Sequence, residues 1–369
     1  MIEQILIGAG IAYYIIHGIY TRKPKIERVM DDIWYANKLE MSRPKVGKAN
    51  YGFHLIYRML PNKDINDFLK LQDTIKANTG FGSEIWAEYG WLHIRLIGKP
   101  LEQFKFDPKV HTGIPIGQGY DSFYQLDLRK ISHLLIGGKT RFGKTSLIRL
   151  MVTCALTNKE IEDVYMIDLK MVDLTIFEKW ARVETDEIKA TKMLKELHEL
   201  MNNRYQEFRE MGIQKVEEHP KMKRIIIVID ESADLSLNKN AMELIDIFSR
   251  KGAGAGIHLW LATQHPSAVN KVMPTKIKQN MLGRIGFKCG DAISSRMIVN
   301  DASAYKLPAI PGRAIYYDGV YHHEIQVPYL DAKLVPELLN GKVIKKTFKG
   351  TQKEDSCIDA CVDAGFTIG

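Results

Sequence analysis

The chain has 369 residues, of which 45% are hydrophobic and 26% are charged. This composition excludes a largely disordered chain, and the length suggests about two domains. The formal net charge of +8 favours a polyanion or an anionic membrane as a partner. The cysteines show no paired metal-ligand spacing, which points to a reduced chain without structural zinc; they are Cys154, Cys289, Cys357 and Cys361.

The N-terminal segment is apolar and uncharged. From residue 4 to residue 21 there is no Asp, Glu, Lys or Arg, and these eighteen residues lie at the short end of what spans a bilayer. Basic residues follow at once, which by the positive-inside tendency places the rest of the chain in the cytoplasm. We expect a single-pass anchor in the inner (cytoplasmic) membrane over 1–22 and a basic linker over 23–50. The alternative is a buried or interfacial helix in a cytoplasmic protein, which His17 favours.

A small α/β domain is expected over residues 51–115. Its apolar patterns predict a strand over Phe53–Leu60, a helix over Asn66–Ile75 and a strand over Trp91–Ile97. We find no catalytic pattern in this region.

A larger domain is expected over residues 116–335, where strand and helix patterns alternate. Continuous apolar strands separated by helices indicate a mostly parallel sheet that is covered on both faces. The remaining residues, 336–369, are polar and predict a tail without a packed domain. The predicted strands are 134–136, 164–168, 224–230, 257–264 and 284–288, and the predicted helices are 146–152, 188–208 and 241–251.

The stretch Gly138–Thr145 fits the phosphate-loop pattern G-x-x-x-x-G-K-[ST]. An apolar strand pattern precedes it and a helical pattern follows, an arrangement that surrounds a polyphosphate with backbone N–H groups. Lys144 is predicted to reach the β- and γ-phosphates, and the Thr145 hydroxyl to ligate Mg²⁺. The predicted nucleotide-binding residues are Gly138, Lys139, Thr140, Arg141, Phe142, Gly143, Lys144, Thr145 and Ser146.

Two adjacent carboxylates follow the apolar run at 224–229. At the tip of a strand beside a phosphate loop, Asp230 is predicted to hold Mg²⁺ through its waters. Glu231 is then placed to orient or deprotonate the attacking water. Gln264, which ends the next predicted strand, is a candidate sensor of the γ-phosphate.

These motifs together resemble the FtsK/SpoIIIE family of DNA-translocating ATPases. The resemblance covers residues 116–328, and residues 51–115 resemble the smaller α/β domain that precedes the motor in this family. The motifs that carry it are His133–Gly138, Met166–Leu174, Val228–Leu235, Gly256–Ser267, Ser295–Ile298 and Gly312–Ala314.

The resemblance implies a RecA-like motor that hydrolyses ATP with Mg²⁺, assembles as a homo-hexameric ring around double-stranded DNA and is tethered to the inner membrane. Oligomeric motors complete their site with an arginine from a neighbouring subunit; the candidates are Arg250 and Arg296. The family often has an arginine where this chain has Ala253, which leaves that assignment open. Basic side chains between two predicted strands are candidates for sequence-independent DNA phosphate contacts; they are Lys271, Lys276 and Lys278.

The sequence thus predicts a membrane-tethered ATP hydrolase that moves double-stranded DNA in conjugative transfer or mobilisation of a plasmid or integrative element. We see no winged-helix or many-helix membrane domain, as in minimal mobile-element motors. Three alternatives stay open: a coupling protein that hands single-stranded DNA and relaxase to a secretion channel, a packaging or plasmid-maintenance ATPase, and a nucleotide-regulated DNA-binding scaffold. A water-activating Glu231 argues against the scaffold.

Overall fold

The computed structural model describes residues 25–49, 52–264 and 274–340. The predicted membrane anchor, Lys271 and residues 341–369 of the predicted tail lie outside the described residues. Within the described part of the chain, no helix has both the length and the apolar character that a bilayer crossing requires.

The chain divides into two compact units. Of the described residues, the smaller contains those up to Glu102 together with Tyr120–Ser122, and the larger contains Gln103–Gly119 and those from Phe123 to residue 340.

The smaller unit is an antiparallel sheet with accompanying helices. Its strands are β1 (Lys45–Ala49), β2 (Gly52–Arg58), β3 (Gly82–Glu88) and β4 (Trp91–Ile97), and its helices are α1 (Lys25–Ala36), α2 (Ile65–Leu69) and α3 (Gln72–Thr79). The strands are hydrogen-bonded in the order β1-β2-β4-β3. Alternate residues of β4 are buried, as expected for a sheet with one covered face.

Helix α1 and strand β1 lie in residues 23–50, where we expected a linker. Met30, Ile33 and Trp34 of α1 are buried in the core of the smaller unit, and their spacing places them on one helix face. The Trp34 ring meets the Tyr57 ring edge-on, with 5.5 Å between the centroids. The prediction of a linker is corrected, because this segment forms a packed helix and a strand. In the sequence, the basic residues drew attention away from the apolar face of the helix.

The larger unit is built on a ten-stranded sheet. Its strands are β5 (Pro115–Gly119), β6 (Phe123–Gln125), β7 (Leu134–Gly137), β8 (Ile161–Ile167), β9 (Arg182–Glu184), β10 (Arg224–Ile229), β11 (Ile257–Thr263), β12 (Gly283–Phe287), β13 (Arg313–Tyr317) and β14 (His322–Gln326). Its helices are α4 (Lys144–Thr157), α5 (Glu187–Met211), α6 (Lys239–Ile247), α7 (Thr275–Asn280), α8 (Ala292–Val299), α9 (Ser303–Lys306) and α10 (Val335–Leu339).

One part of this sheet is parallel and positions the site. Its strands are hydrogen-bonded in the order β12-β7-β11-β10-β8-β9, and every adjacent pair among them is parallel. All residues of β7, β10, β11 and β12 are buried, because separate apolar cores cover the two faces. The predicted mixed α/β fold with a mostly parallel sheet is confirmed. The carboxyl ends of β7, β8, β10 and β11 consequently meet at one edge.

The other strands extend the sheet in antiparallel fashion, in the order β12-β13-β14-β5-β6. Since β5 pairs with β14, the larger unit begins at Gln103 and not at the expected residue 116. A single parallel bridge between Lys105 and Tyr329 also ties this early segment to the larger unit.

The ends of two predicted elements also differ. The helix predicted over 241–251 is α6 followed by a π-helical turn over Phe248–Gly252. At the C-terminal end of the domain, Val335 and Leu338 of α10 are buried in the same hydrophobic core as the apolar side chains of α4. The packed structure therefore continues past residue 335, where we expected a tail to begin.

Candidate active site

The loop between β7 and α4 is shaped by two glycines. Gly138 has φ +144° and Gly143 has φ +115°, which are backbone conformations that side chains disfavour. A Cβ atom on Gly138 would lie 2.6 Å from the Cβ of Phe287, and one on Gly143 would lie 3.1 Å from the backbone nitrogen of Gly312. The loop therefore leaves no room for side chains there, and it ends at the N-terminus of α4.

Lys144, the first residue of α4, points to the tip of β10. Its Nζ donates to Asp230 Oδ1 at 2.8 Å and to the Asp230 carbonyl oxygen at 3.0 Å. Both side chains are buried. The other carboxylate oxygen, Asp230 Oδ2, is buried without a hydrogen-bond partner. Because a buried unpaired oxygen is costly, this atom is positioned to accept from a bound water or to face a cation.

Thr145 lies beside a second carboxylate. Its hydroxyl donates to Asp173 Oδ2 at 3.3 Å. Burial raises the pKa of Asp173 above its ordinary value, and the nearby Asp230 carboxylate raises it further. The hydroxyl and the two carboxylates are oxygen donors of the kind that Mg²⁺ prefers. With the unpartnered Asp230 Oδ2, this donor set fits a magnesium ion.

Glu231 is buried and directed to the end of β11. Thr263 Oγ1 donates to Glu231 Oε1 at 2.8 Å, and the Gln264 backbone N–H donates to Oε2 at 2.8 Å. The ammonium of Lys170 lies 3.5 Å from the same Oε2. The predicted water-activating group is thus fixed to the strand that carries the predicted sensor, Gln264.

A cavity of about 720 Å³ opens over the phosphate loop. This volume is in the range of small-molecule sites. Phosphate-loop residues, Asp173 and Gln264 line one part of it, and segments near β5 and β14 line the remainder. The lining residues are Gln103, Phe104, Lys105, Thr140, Arg141, Gly143, Lys144, Thr145, Ser146, Asp173, Gln264, Pro311, Gly312, Gln326, Val327, Pro328 and Tyr329.

Three of the predicted nucleotide-binding residues do not line this cavity: Gly138, Lys139 and Phe142. Gly138 is buried, the exposed Lys139 donates its backbone N–H to the Lys288 carbonyl, and Phe142 packs against the core. Gly138, Lys139 and Phe142 therefore contact the protein around the loop and not the cavity.

The two candidate arginines lie away from the cavity lining. The Arg250 guanidinium forms an ion pair with buried Asp246 at 3.0 Å, within the π-helical turn after α6. Arg296 is exposed on α8. Neither arginine lines the cavity of this subunit, and the trans-acting role predicted for one of them stays a prediction.

Two of the candidate DNA-contacting lysines lie on α7. Lys276 Nζ pairs with Asp246 at 3.0 Å, so one carboxylate bridges Lys276 and Arg250. Lys278 Nζ donates to the Arg296 carbonyl at 3.3 Å, and burial lowers the pKa of Lys278. Each contact uses one of the three N–H donors of an ammonium group, and the Lys276 side chain stays exposed.

The loop after β8 supplies functional residues to which we had assigned no role. Asp168 Oδ2 accepts the backbone N–H groups of Val172, Asp173 and Leu174 at 3.1, 2.9 and 2.8 Å. This pinned loop carries Lys170 to Glu231 and Asp173 to Thr145. The available signal was the spacing D-x-K-x-x-D directly after a predicted strand, at the same edge as the phosphate loop.

The larger unit has a mostly parallel sheet and a phosphate loop, and the loop lysine contacts an acidic residue at a strand tip. These features define a P-loop nucleotide-binding protein. Residues 102–225 match the sequence model of the FtsK/SpoIIIE family. This match confirms the resemblance to the family that the motifs predicted.

Curated relatives agree with this family. The chain is 27% identical over 334 residues to the DNA translocase FtsK of Streptococcus pneumoniae, covering 83% of this chain and 39% of that protein. It is 33% identical over 204 residues to the DNA translocase FtsK of Sporosarcina ureae, covering 49% of this chain and 26% of that protein. The chain thus spans less than half the length of these relatives.

Solved structures share the fold. The pCW3 conjugation coupling protein TcpA, in a monomer form with ATPγS, superposes with a TM-score of 0.62 at 21% identity, covering 85% of this chain and 98% of that chain. ATPases 2 and 3 of EssC from Geobacillus thermodenitrificans superpose with a TM-score of 0.56 at 18% identity, covering 66% of this chain and 51% of that chain. At these identities the likeness concerns the fold.

Proposed function

We propose that this protein is an Mg²⁺-dependent ATPase that moves double-stranded DNA, in conjugative transfer or mobilisation of a plasmid or integrative element. The carrying observation is the joint geometry of the phosphate loop and the β10 tip: Lys144 contacts Asp230, and Glu231 is fixed beside it. The family domain, the FtsK relatives and the TcpA fold support motor function and a conjugative setting.

The residues of the site divide the chemistry between them. Lys144 and the N-terminal N–H groups of α4 bind the β- and γ-phosphates. Thr145 and Asp230 would hold Mg²⁺, which would neutralise charge on the phosphate oxygens. Glu231 accepts a proton from the water that attacks the γ-phosphorus.

The contact between Glu231 and β11 provides a route from hydrolysis to movement. Glu231 is bonded to Thr263 and to the backbone of Gln264. The sequence after Gln264 leads through Lys271 to Lys276 and Lys278, the candidate DNA contacts. A change in the bonding of Glu231 with nucleotide state therefore bears directly on the strand that precedes them.

The proposed motor is a ring of identical subunits. A homo-hexameric ring places Arg250 or Arg296 of one subunit at the site of its neighbour, where developing charge on the γ-phosphate requires a cation. Residues 1–22 anchor the ring to the cytoplasmic face of the inner membrane, next to relaxase or secretion-channel partners.

The test is ATP turnover by the purified full-length chain with duplex DNA, single-stranded DNA and no DNA. We expect strong stimulation by duplex DNA and near loss of turnover in Lys144→Ala and in Glu231→Gln. Lys139→Ala is a matched control for the first variant, since this exposed loop lysine does not line the cavity.

Each other outcome points to a different protein. Equal turnover with and without DNA contradicts a DNA motor. A strong preference for single strands favours the coupling-protein alternative, which the name of the structural neighbour TcpA also suggests. Displacement of a duplex-bound roadblock, followed in single molecules, then distinguishes a motor from a scaffold.

A further inference from the structure

We propose that Asp173 is a positioning residue of the metal site: its carboxylate accepts a hydrogen bond from the Thr145 hydroxyl and, together with Asp230, faces the divalent cation. The inference rests on the proposed function, since the cation accompanies the bound triphosphate. It adds to the site a residue that lies on a different loop from the phosphate-binding and strand-tip motifs.

The first observation is the bond between Thr145 and Asp173. A hydroxyl has one proton and two lone pairs. The Thr145 hydroxyl donates its hydrogen bond to Asp173 Oδ2 at 3.3 Å, which leaves the lone pairs of Oγ1 free to ligate a cation. Without this acceptor the hydroxyl is free to rotate, and its lone pairs lose their fixed direction.

The second observation is the unpartnered oxygen on Asp230. This residue is only 1% exposed, and Lys144 occupies its Oδ1. Its Oδ2 is buried and has no hydrogen-bond partner in the part of the chain that the structure describes, and the Asp173 carboxylate lies near enough for the two charges to interact. Two neighbouring carboxylates, one with an unsatisfied buried oxygen, are stabilised by a divalent cation that both can face.

The third observation is the rigidity of the loop that carries Asp173. The Asp168 carboxylate, 1% exposed, accepts three consecutive N–H groups from this loop, including that of Asp173 itself. Hydrogen bonds to an ionised acceptor are among the stronger ones in proteins. Asp168 thus fixes the backbone of Asp173 opposite Thr145, in the way that outer-shell partners fix metal ligands.

The experiment measures Mn²⁺ binding to the full-length chain by electron paramagnetic resonance, with ATPγS present. We expect Asp173→Ala to weaken Mn²⁺ binding by ~10–100-fold, the usual effect of losing an outer-shell partner. Asp173→Asn, which keeps an acceptor but loses the charge, is expected to give a smaller loss. Glu178→Gln is the matched control, because this carboxylate lies on the same segment and is exposed; it should bind Mn²⁺ like the wild type.

A second measurement separates a metal role from a merely structural one. ATPγS affinity in the presence of EDTA should be unchanged in Asp173→Ala, whereas a collapsed loop would weaken it together with Mn²⁺ binding. In a Thr145→Val background, which lacks the hydroxyl, Asp173→Ala should cause a smaller further loss of Mn²⁺ affinity than in the wild type.

Two results overturn the inference: wild-type Mn²⁺ affinity in Asp173→Ala, or parallel losses of Mn²⁺ binding and of metal-free ATPγS binding. Failure of the proposed function is a separate outcome. It shows as absent DNA stimulation of turnover in the wild type, whatever the Mn²⁺ titration gives.

Discussion

At the scale of single residues, the site depends on adjacent side chains that have different partners. Asp230 and Glu231 are neighbours in sequence, yet Asp230 contacts Lys144 and Glu231 contacts Thr263. Both residues follow the end of β10 at Ile229, and one carboxylate faces the phosphate loop while the other faces β11. This division permits one to serve the metal while the other serves the water.

Gly138 gives a prediction at the same scale. Gly138→Ala places a Cβ 2.6 Å from that of Phe287 at a φ of +144°. We expect loss of ATPγS binding and a free energy of unfolding lower by about 1–3 kcal/mol, from strain and overpacking. Equilibrium urea unfolding and nucleotide titration measure the two effects. Gly290→Ala is the control, because a Cβ there meets nothing within 4 Å; equal effects in both variants would contradict the steric argument.

At the scale of elements, helix α1 shows how a segment with basic residues can be structural. Trp34 is 2% exposed and meets the rings of Tyr57 and Phe68 edge-on, whereas the adjacent Tyr35 is 88% exposed. Burial of the apolar face, and not the charge of the segment, decides its structure.

Trp34→Ala should therefore lower the free energy of unfolding by about 3–5 kcal/mol, the usual cost of removing a buried large aromatic ring. Chemical denaturation of the full-length chain, followed by circular dichroism, measures the change. Tyr35→Ala should lie within about 0.5 kcal/mol of the wild type, as exposed substitutions do. A Trp34→Ala variant of wild-type stability would show that α1 contributes little to the fold.

The junction of β7 and β11 gives a prediction about pH. Burial lowers the pKa of His133 to about 3 and that of His258 to about 4. Each imidazole has a backbone partner: His133 Nδ1 accepts the Leu259 N–H at 2.9 Å, and His258 Nδ1 donates to the Ser132 carbonyl at 2.8 Å. The folded state therefore holds both rings neutral at pH 7.

In the unfolded chain a histidine titrates near pH ~6.5. Below that pH the unfolded state takes up protons that the folded state does not, so the free energy of unfolding falls as the pH decreases toward about 4. The limiting slope is ~1.4 kcal/mol per pH unit for each ring. Urea unfolding at pH 7 and pH 5 should show a smaller decrease in His133→Asn than in the wild type. An unaltered slope in His133→Asn would exclude a role for this ring in the pH dependence.

At the scale of the whole molecule, the net charge of +8 matches the proposed polyanionic substrate. Lysine contacts to DNA phosphates release counterions, so affinity falls steeply with salt. The hydrolytic groups, in contrast, are buried and little screened.

Duplex stimulation of turnover should accordingly weaken when the salt concentration rises from about 50 to 200 mM, over which DNA affinity falls by orders of magnitude. ATP turnover without DNA should change little. Steady-state assays across this range, with DNA titrated at each salt concentration, give both values. Salt-independent half-saturation by DNA would argue against phosphate contacts as the main source of affinity.

The phosphate loop, the acid pair and the fold class could be predicted from the sequence, because local patterns encode them. The phosphate loop is one contiguous motif, and the acid pair ends an apolar run long enough to predict a buried strand. The mixed α/β fold and the resemblance to the family followed from the order of such motifs, and both are confirmed. The roles assigned to Lys144, Asp230 and Glu231 stay predictions.

Contacts between residues that are far apart in the sequence could be read from the folded structure alone. Asp173 lies 28 residues from Thr145 in the sequence. The local spacing after β8 does not specify that Asp168 holds this loop by hydrogen bonds at the edge where β7, β8 and β10 end. The antiparallel strands β13 and β14 and the pairing of β5 with β14 were likewise not predicted, since short strands are defined by their partners. The reason is physical: periodicity reports which face of an element is buried, whereas contacts between elements depend on the packing of the whole chain.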